Sequence, residues 1–485
     1  MCEHRGVCMN SDEDLLYHWY RDQGKSWENY RENLERYVEP YLTKNISDVI
    51  LNVFGQTSVT TTEKAMYLGV KWLEKKEDGS PADWYLKGED SYIWPYYARV
   101  QMGLEDPYRI WFDYLKKRGK RTWISFRMND FHYNLDKYSP IRSDFQELAL
   151  QKGWTLGEKY GGGAWRNLDF GVEEVRAYML SYMEEQIDRY DTYGAEMDFS
   201  RELPCFKYQE KGPEEICPIM TEFVRQVRHI CSRSGKKLMV RLGRELEHNR
   251  IYGFDVETWA KEGLVDIVVP SPRWVTSDSH MPVKEWMEKL HPYGVQVYAG
   301  LECNVIWEKR ATPEVFRGLA AHYDFEGADG IYLYNCTGRD AALGEEKVRR
   351  ERENWNCRNV TLPRRHIVMW QDVKPEQVKA FDPLPDTYAG TNLYRLGVGK
   401  VPEGAQGVLF VGYREEEPRT VRLNGKIMEP YAGSAEPFLT EAKPKLEPFH
   451  VNAYRTDGAL TEGWQQISVE FEREGTLSYL EIWLG

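Results

Sequence analysis

The sequence predicts an α/β fold: a (β/α)8 barrel of the TIM type followed by a C-terminal β-sandwich domain. Three observations carry that expectation. Short strand-like runs alternate with amphipathic helical segments from about residue 5 to residue 338, eight such runs can be counted, and after residue 385 the pattern changes to closely spaced β runs separated by turn residues. Alternating strand and helix is the signature of βα units and a parallel sheet, and eight parallel strands close a barrel. At 485 residues the chain exceeds the roughly 250 of a typical barrel, which leaves room for a second domain and long loops.

In order, the strand candidates are Arg5 to Asp12, Ser47 to Gln56, Arg121 to Asn129, Tyr193 to Ser200, Lys237 to Glu245, Val265 to Ser271, Val295 to Glu302 and Gly330 to Asn335. Between them, Trp27 to Thr43, Val172 to Arg189, Pro213 to Ser234 and Pro313 to Tyr323 place apolar residues at helical spacing. Two long connections, residues 57–107 and 133–171, follow carboxyl ends of strands, where long loops usually serve function. Gly161 to Gly163 read as a loop, because no phosphate-cradling glycine pattern surrounds them. The predicted domains are a barrel with its bridging segment over 1–384 and a jelly-roll-like sandwich over 385–485. In the latter, NLYRLGV, GVLFVGY, RTVRLNGKIM, WQQISVEFE and LSYLEIWL are the strand candidates.

A formal net charge of −13 argues against a protein that tracks nucleic-acid phosphates, which needs a basic surface. Aromatic residues reach 14%, with 17 Trp and 32 Tyr, a supply that suits both large cores and carbohydrate grooves. No window approaches 18 apolar residues and the opening MCEHRGVCMNSDEDL lacks the apolar core of a signal peptide. No membrane partner is therefore expected, and the expected location is the cytoplasm. The eight cysteines show no CxxC and no zinc-site spacing, so they read as reduced, mostly buried thiols. No cofactor or metal is expected, and the assembly is left open, with a homodimer as one candidate.

Parity along the strands identifies what reaches the barrel mouth. On the fourth strand Ala195, Met197 and Phe199 oppose Gly194, Glu196 and Asp198; on the third, Ile124, Phe126 and Met128 oppose Ser125, Arg127 and Asn129. On the fifth, Leu238, Val240 and Leu242 face the helices while Arg241 and Glu245 face in, and on the seventh Val297, Ala299 and Leu301 oppose Tyr298, Gly300 and Glu302. The expected mouth is a ring of Asp12, Asn52, Arg127, Asp198, Arg241 and Glu302, with His132, Arg201, Glu202 and Arg244 just above it. So many ionisable groups at one end of a barrel interior cost desolvation energy that a function would justify. The arginines among them oppose a cation.

Cleaving a glycosidic bond needs a proton donor for the leaving oxygen and a base or nucleophile on the opposite face, and this mouth holds candidates for both. The segments WRNLDFGVEEVRAYM and GAEMDFSRELPCF, with Asp12 ending the first strand, R-x4-H on the third (Arg127 and His132), Arg201 after the fourth and Asn335 ending the eighth, carry a resemblance. The chain resembles the family-ten-like TIM-barrel glycosyl hydrolases, most closely the inverting exo-sialidases of glycoside hydrolase family 156. That resemblance implies a carbohydrate substrate, Asp12 and His132 as the catalytic pair, and substrate binding by Arg127, Arg201 and Asn335; Asp198, Arg241 and Glu302 of the mouth ring are expected to bind substrate with them. One departure is that Asn335 is followed by Cys336 where the family pattern has paired asparagines. The alternatives are a retaining glycosidase with Glu302 as nucleophile and Glu202 or Asp198 as acid, and a carbohydrate-binding protein without catalysis.

Overall fold

The computed structural model describes residues 6–11, 29–53, 58, 60, 62–65, 105–130, 143–161, 164–272, 278–306, 309–336, 349, 352–359, 363–368, 384–439 and 449–485. The eight predicted barrel strands are present: β1 (Val7–Ser11), β2 (Ile46–Asn52), β3 (Arg121–Arg127), β4 (Gly194–Asp198), β5 (Lys237–Gly243), β6 (Ile267–Ser271), β7 (Gln296–Glu302) and β8 (Gly330–Tyr334). They form a closed barrel in sequence order, β8 returning to β1. β1, β4, β6 and β8 are buried along their whole length, as befits parallel strands covered on both faces. By contact, the chain groups into two compact units, residues 1–270 with 289–297 and 339–348, and residues 271–288, 298–338 and 349–485.

In the first unit, local chemistry sets the helix ends. Helix α1 (Tyr30–Val38) buries Tyr30, Leu34, Tyr37 and Val38, an i, i+4, i+7, i+8 stripe, and runs on into a 3-10 turn at Glu39–Leu42. Helix α2 (Pro107–Lys117) starts with Pro in its first turn and with Asp106 accepting from the Tyr108 N–H. Helix α3 (Asp144–Lys152) lies within the stretch expected to be loop; Ser143 and Gln146 close a capping box and Gly153, at φ 70°, ends it. Helices α4 (Glu173–Arg189) and α5 (Pro213–Arg233) match their predicted ranges to within a residue. At the amino end of the barrel, Asp48 accepts from Trp123 Nε1 at 2.8 Å and from Arg121 at 2.6 Å. The Trp123 ring fills the space over Gly194, where an added Cβ would lie 2.2 Å from it, so only glycine fits there.

In the second unit, the C-terminal sheet is built on one long strand. Its elements are β9 (Arg364–Ile367), β10 (Asp386–Gly399), β11 (Gly407–Arg414), β12 (Thr420–Leu423), β13 (Lys426–Ile427), β14 (Glu429–Pro430), β15 (His450–Arg455) and β16 (Gly463–Leu484). The order is β13-β12-β16-β11-β15-β14, with β9 and β10 also pairing β16. WQQISVEFE and LSYLEIWL, read above as two strands, are one 22-residue strand that continues through exposed Glu472, Arg473 and Glu474. It stays extended because β10 pairs with it on both sides of that stretch, through a bulge at Tyr388/Gly390. Its two halves then serve different neighbours, β12 near Val469 and β11 and β9 near Ile482, which makes the arrangement sandwich-like.

Helix α9 packs against this sheet; counting α6 (Leu246–Ile251), α7 (Val256–Lys261) and α8 (Val283–Leu290) before it, α9 is Pro313–Glu326. His322 of α9 meets Trp464 edge-on at 4.6 Å, and Trp464 Nε1 donates to Glu326 at 3.0 Å. Gly397 lets β10 approach, since a Cβ there would fall 2.1 Å from the His322 ring. His322 and, on β9, His366 are both buried. Burial first and the neighbouring His280 second push His322 down to about 3, and burial with nearby Arg364 lowers His366 strongly. Both imidazoles are therefore neutral in the folded protein, whereas in the unfolded chain they take up protons below about 6.5. Their contribution is level above that pH, and stability is lost as the pH falls below it, for His322 down toward about 3 at up to about 1.4 kcal/mol per unit. Urea unfolding at pH 5 should show a loss near ~2 kcal/mol from His322 alone, and His322→Phe should flatten the slope between pH 5 and 7. An unchanged slope in that variant would remove His322 from the account.

Among the described residues no helix is long and apolar enough to cross a membrane. The seven described cysteines are free and buried.

Candidate active site

The strand register brings three charged side chains level. Arg127 of β3 is the partner of Asp198 of β4, and Asp198 is the partner of Arg241 of β5. Arg241 Nη1 donates to both Asp198 oxygens, at 2.8 and 2.9 Å, and neither side chain is exposed beyond 1%. The backbone N–H of Arg201 adds a third donor to Asp198 at 3.1 Å. One layer deeper, Asn52, Ser125 and Glu196 are level with one another, and Asn10 Nδ2 reaches Glu196 Oε2 at 3.4 Å. The polar parity of β3, β4 and β5 is therefore the inward one, and the barrel places Arg127, Asp198 and Arg241 side by side.

Above this layer stands a residue that parity did not single out. Asp130 is fully buried; it accepts from Arg127 Nη1 at 2.7 Å and lies 3.7 Å from Arg201 Nε. Two guanidinium groups, one at the end of β3 and one in the loop after β4, thus converge on a single carboxylate. Arg201 keeps 12% of its side chain exposed against 4% for Arg127, so it is the more accessible of the two. The available signal was the i, i+3 spacing of Arg127 and Asp130 at a strand end.

Two inward assignments play other parts. Asn129 lies beyond the end of β3 and ties down the neighbouring loops: its Nδ2 donates to Leu168 O and Pro204 O, both at 3.2 Å, while its Oδ1 accepts from the Leu168 N–H. Glu245 also lies past its strand, which ends at Gly243, and it precedes α6, where it pairs with His248 at 2.7 Å and with Arg244. Alternation stops where the strand stops. Glu202 and Arg244 are buried.

In the second unit Glu302 ends β7 level with Tyr334 of β8. Asn335 follows, left-handed at φ 57°, a conformation asparagine accepts more readily than most residues. In that pose its Nδ2 lies 3.2 Å from each Glu302 oxygen, and its carbonyl accepts from Arg310 Nη2 at 2.9 Å. Glu302 and Asn335, predicted separately, therefore form one unit, and Arg310 is a participant that strand parity could not reach. Asp12 and His132 lie outside the described residues; in sequence Asp12 directly follows the last residue of β1 and His132 comes five residues after the last of β3. Among the described residues no cluster of His, Cys, Asp and Glu is arranged to hold a metal ion.

No protein-family model matches the sequence, and no curated protein is significantly similar to it. Several solved structures share parts of its fold at low identity. The PgaB glycoside hydrolase domain from Bordetella bronchiseptica is 12% identical over 72% of this chain and 98% of its own, with a TM-score of 0.41. The endo-β-1,4-mannanase from Thermotoga petrophila is 11% identical over 98% of this chain and 97% of its own, with a TM-score of 0.44. An α-L-fucosidase isoenzyme from Paenibacillus thiaminolyticus is 8% identical over 73% of this chain and 49% of its own, with a TM-score of 0.42.

Proposed function

We propose that this protein is a glycoside hydrolase that releases a terminal carboxylate-bearing sugar, sialic acid, with inversion at the anomeric carbon. The observation that carries the reading is the convergence of Arg127 and Arg201 on Asp130 at the ends of neighbouring strands. Planar guanidinium groups recognise carboxylates by paired, charge-assisted hydrogen bonds, and a sialoside carries its carboxylate on the reacting carbon. Assembling two such groups in a protein of net charge −13 suits an anionic ligand. The resemblance of Asp12, Arg127, His132, Arg201 and Asn335 to the inverting exo-sialidases supports the same reading.

In this mechanism a water attacks the anomeric carbon while His132 takes its proton, and protonated Asp12 gives a proton to the departing sugar oxygen. One C–O bond forms as the other breaks on the opposite face. Exchanging the roles of the two residues keeps the same balance. The Asp198–Arg241 pair holds the Arg201 backbone, and Asn335 braces Glu302, so both are positioning elements.

Hydrolysis of an aryl α-sialoside followed by proton NMR tests the proposal. First release of β-sialic acid is expected. Turnover of a neutral aryl glycoside with retention, abolished by Glu302→Gln, would replace it with the Glu302 mechanism. Arg201→Ala is expected to raise KM by roughly 10- to 100-fold with kcat changed far less, because a bond to a charged group is lost at the binding stage. Steady-state kinetics check this, and a fall in kcat at constant KM would count against carboxylate binding there.

A further inference from the structure

We infer that the C-terminal sheet carries its own binding site for a neutral pyranose ring, a unit of a glycan. The site is a cavity of about 270 Å³ at one end of β11, lined by Gln406, Tyr431, Arg455, Asp457 and Trp483 among others. It is built by register: Arg455 of β15 and Trp483 of β16 are both partners of Val408 on β11, one from each side. Directly opposed residues share a face of a sheet, so an indole and a guanidinium stand across one strand from each other.

Two glycines shape the aromatic walls. A Cβ at Gly433 would lie 2.1 Å from the Tyr431 ring, and one at Gly485 would lie 2.3 Å from the Trp483 ring. The tip of Tyr431 and the benzo edge of Trp483 therefore lie over bare backbone, and both side chains stay half-buried in the lining of the cavity.

The lining matches a sugar ring better than other small ligands. Aromatic side chains offer apolar faces to the C–H side of a pyranose, and Trp and Tyr combine such a face with a polar edge. Arg455 donates to Asp457 at 2.5 Å, so these two charges offset each other and still present donors and an acceptor to hydroxyl groups. A balanced pair does not select an anion, which separates this site from the arginine cluster of the barrel. The volume is below the roughly 300–1,000 Å³ of pockets for drug-sized ligands, a fit for one ring rather than an oligosaccharide. Arg455 and Asp457 are exposed, so a longer glycan could continue into solvent. The inference does not depend on the chemistry of the barrel.

Saturation-transfer NMR on the full chain, with methyl β-galactoside, methyl β-glucoside and methyl N-acetyl-β-glucosaminide as probes, tests it. At least one probe should bind saturably in the roughly millimolar range expected of a single small contact site. Trp483→Ala should weaken that binding by roughly tenfold or more, as truncation of a central aromatic anchor does, while His132→Ala leaves it unchanged. Gln406→Ala, an exposed change that should not disturb folding, should weaken it less. Saturable binding undiminished by Trp483→Ala in a folded variant, or absence of binding by all three probes, would overturn the inference. Binding abolished by His132→Ala instead would assign the sugar to the barrel and overturn it equally.

Discussion

His132→Ala is expected to lower kcat on an aryl α-sialoside by roughly 10²–10⁴-fold, the contribution usual for a positioned general acid or base. Asp12→Ala should do the same on a substrate with a poor leaving group, and much less on an activated aryl sialoside if Asp12 is the acid. That difference assigns the roles, because a good leaving group needs no proton while the attacking water still needs a base. Both variants should keep the unfolding midpoint of the parent, which separates lost chemistry from lost structure. Combining the two should cost little more than the larger single change, since groups acting in one step are not additive. A His132→Ala enzyme with near-parental kcat would discard the inverting mechanism and leave Glu302 as the carboxylate to test.

The second large effect concerns Asp198 and Arg241. Arg241→Ala removes the guanidinium that donates twice to a carboxylate with no solvent access, and the remaining contact identified there is the Arg201 backbone N–H. Breaking one side of a buried ion pair typically costs 3–5 kcal/mol, because the surviving charge stays desolvated. A loss of about that size is expected in urea unfolding, together with a large fall in activity as the Arg201 loop loses its anchor. Adding Asp198→Asn to Arg241→Ala should recover part of the stability, since an amide carries no charge to strand. A single-variant loss under about 1 kcal/mol would mean that water reaches Asp198 and that the pair is not the brace described.

Much of this architecture is legible in a linear reading, for a physical reason. Helix and strand periodicities are local, so the run from Gly194 to Asp198 announces both a strand and the inward direction of Glu196 and Asp198 within a few residues. The same locality explains where reading fails. Asn129 and Glu245 continue the alternation of their strands on paper, but the strands end at Arg127 and Gly243. The long β16 reads as two strands because Arg473, Glu474, Gly475 and Thr476 interrupt the apolar alternation, whereas pairing with β10 on both sides keeps them extended. Nor does any local signal predict a left-handed Asn335 at the end of β8.

The sequence by itself determined the alternation of strands and helices, their number, the change of pattern after residue 385 and the inward parity of Arg127, Asp198 and Arg241. Only the tertiary structure decided who partners whom. Asp130 joins Arg127 to Arg201, Asp198 takes Arg241, Asn335 takes Glu302, and Gly397 yields its space to His322. Periodicity is a property of a few neighbouring residues, while the energy of a buried charge or a close approach depends on distance and desolvation, which arise when distant segments close on one another.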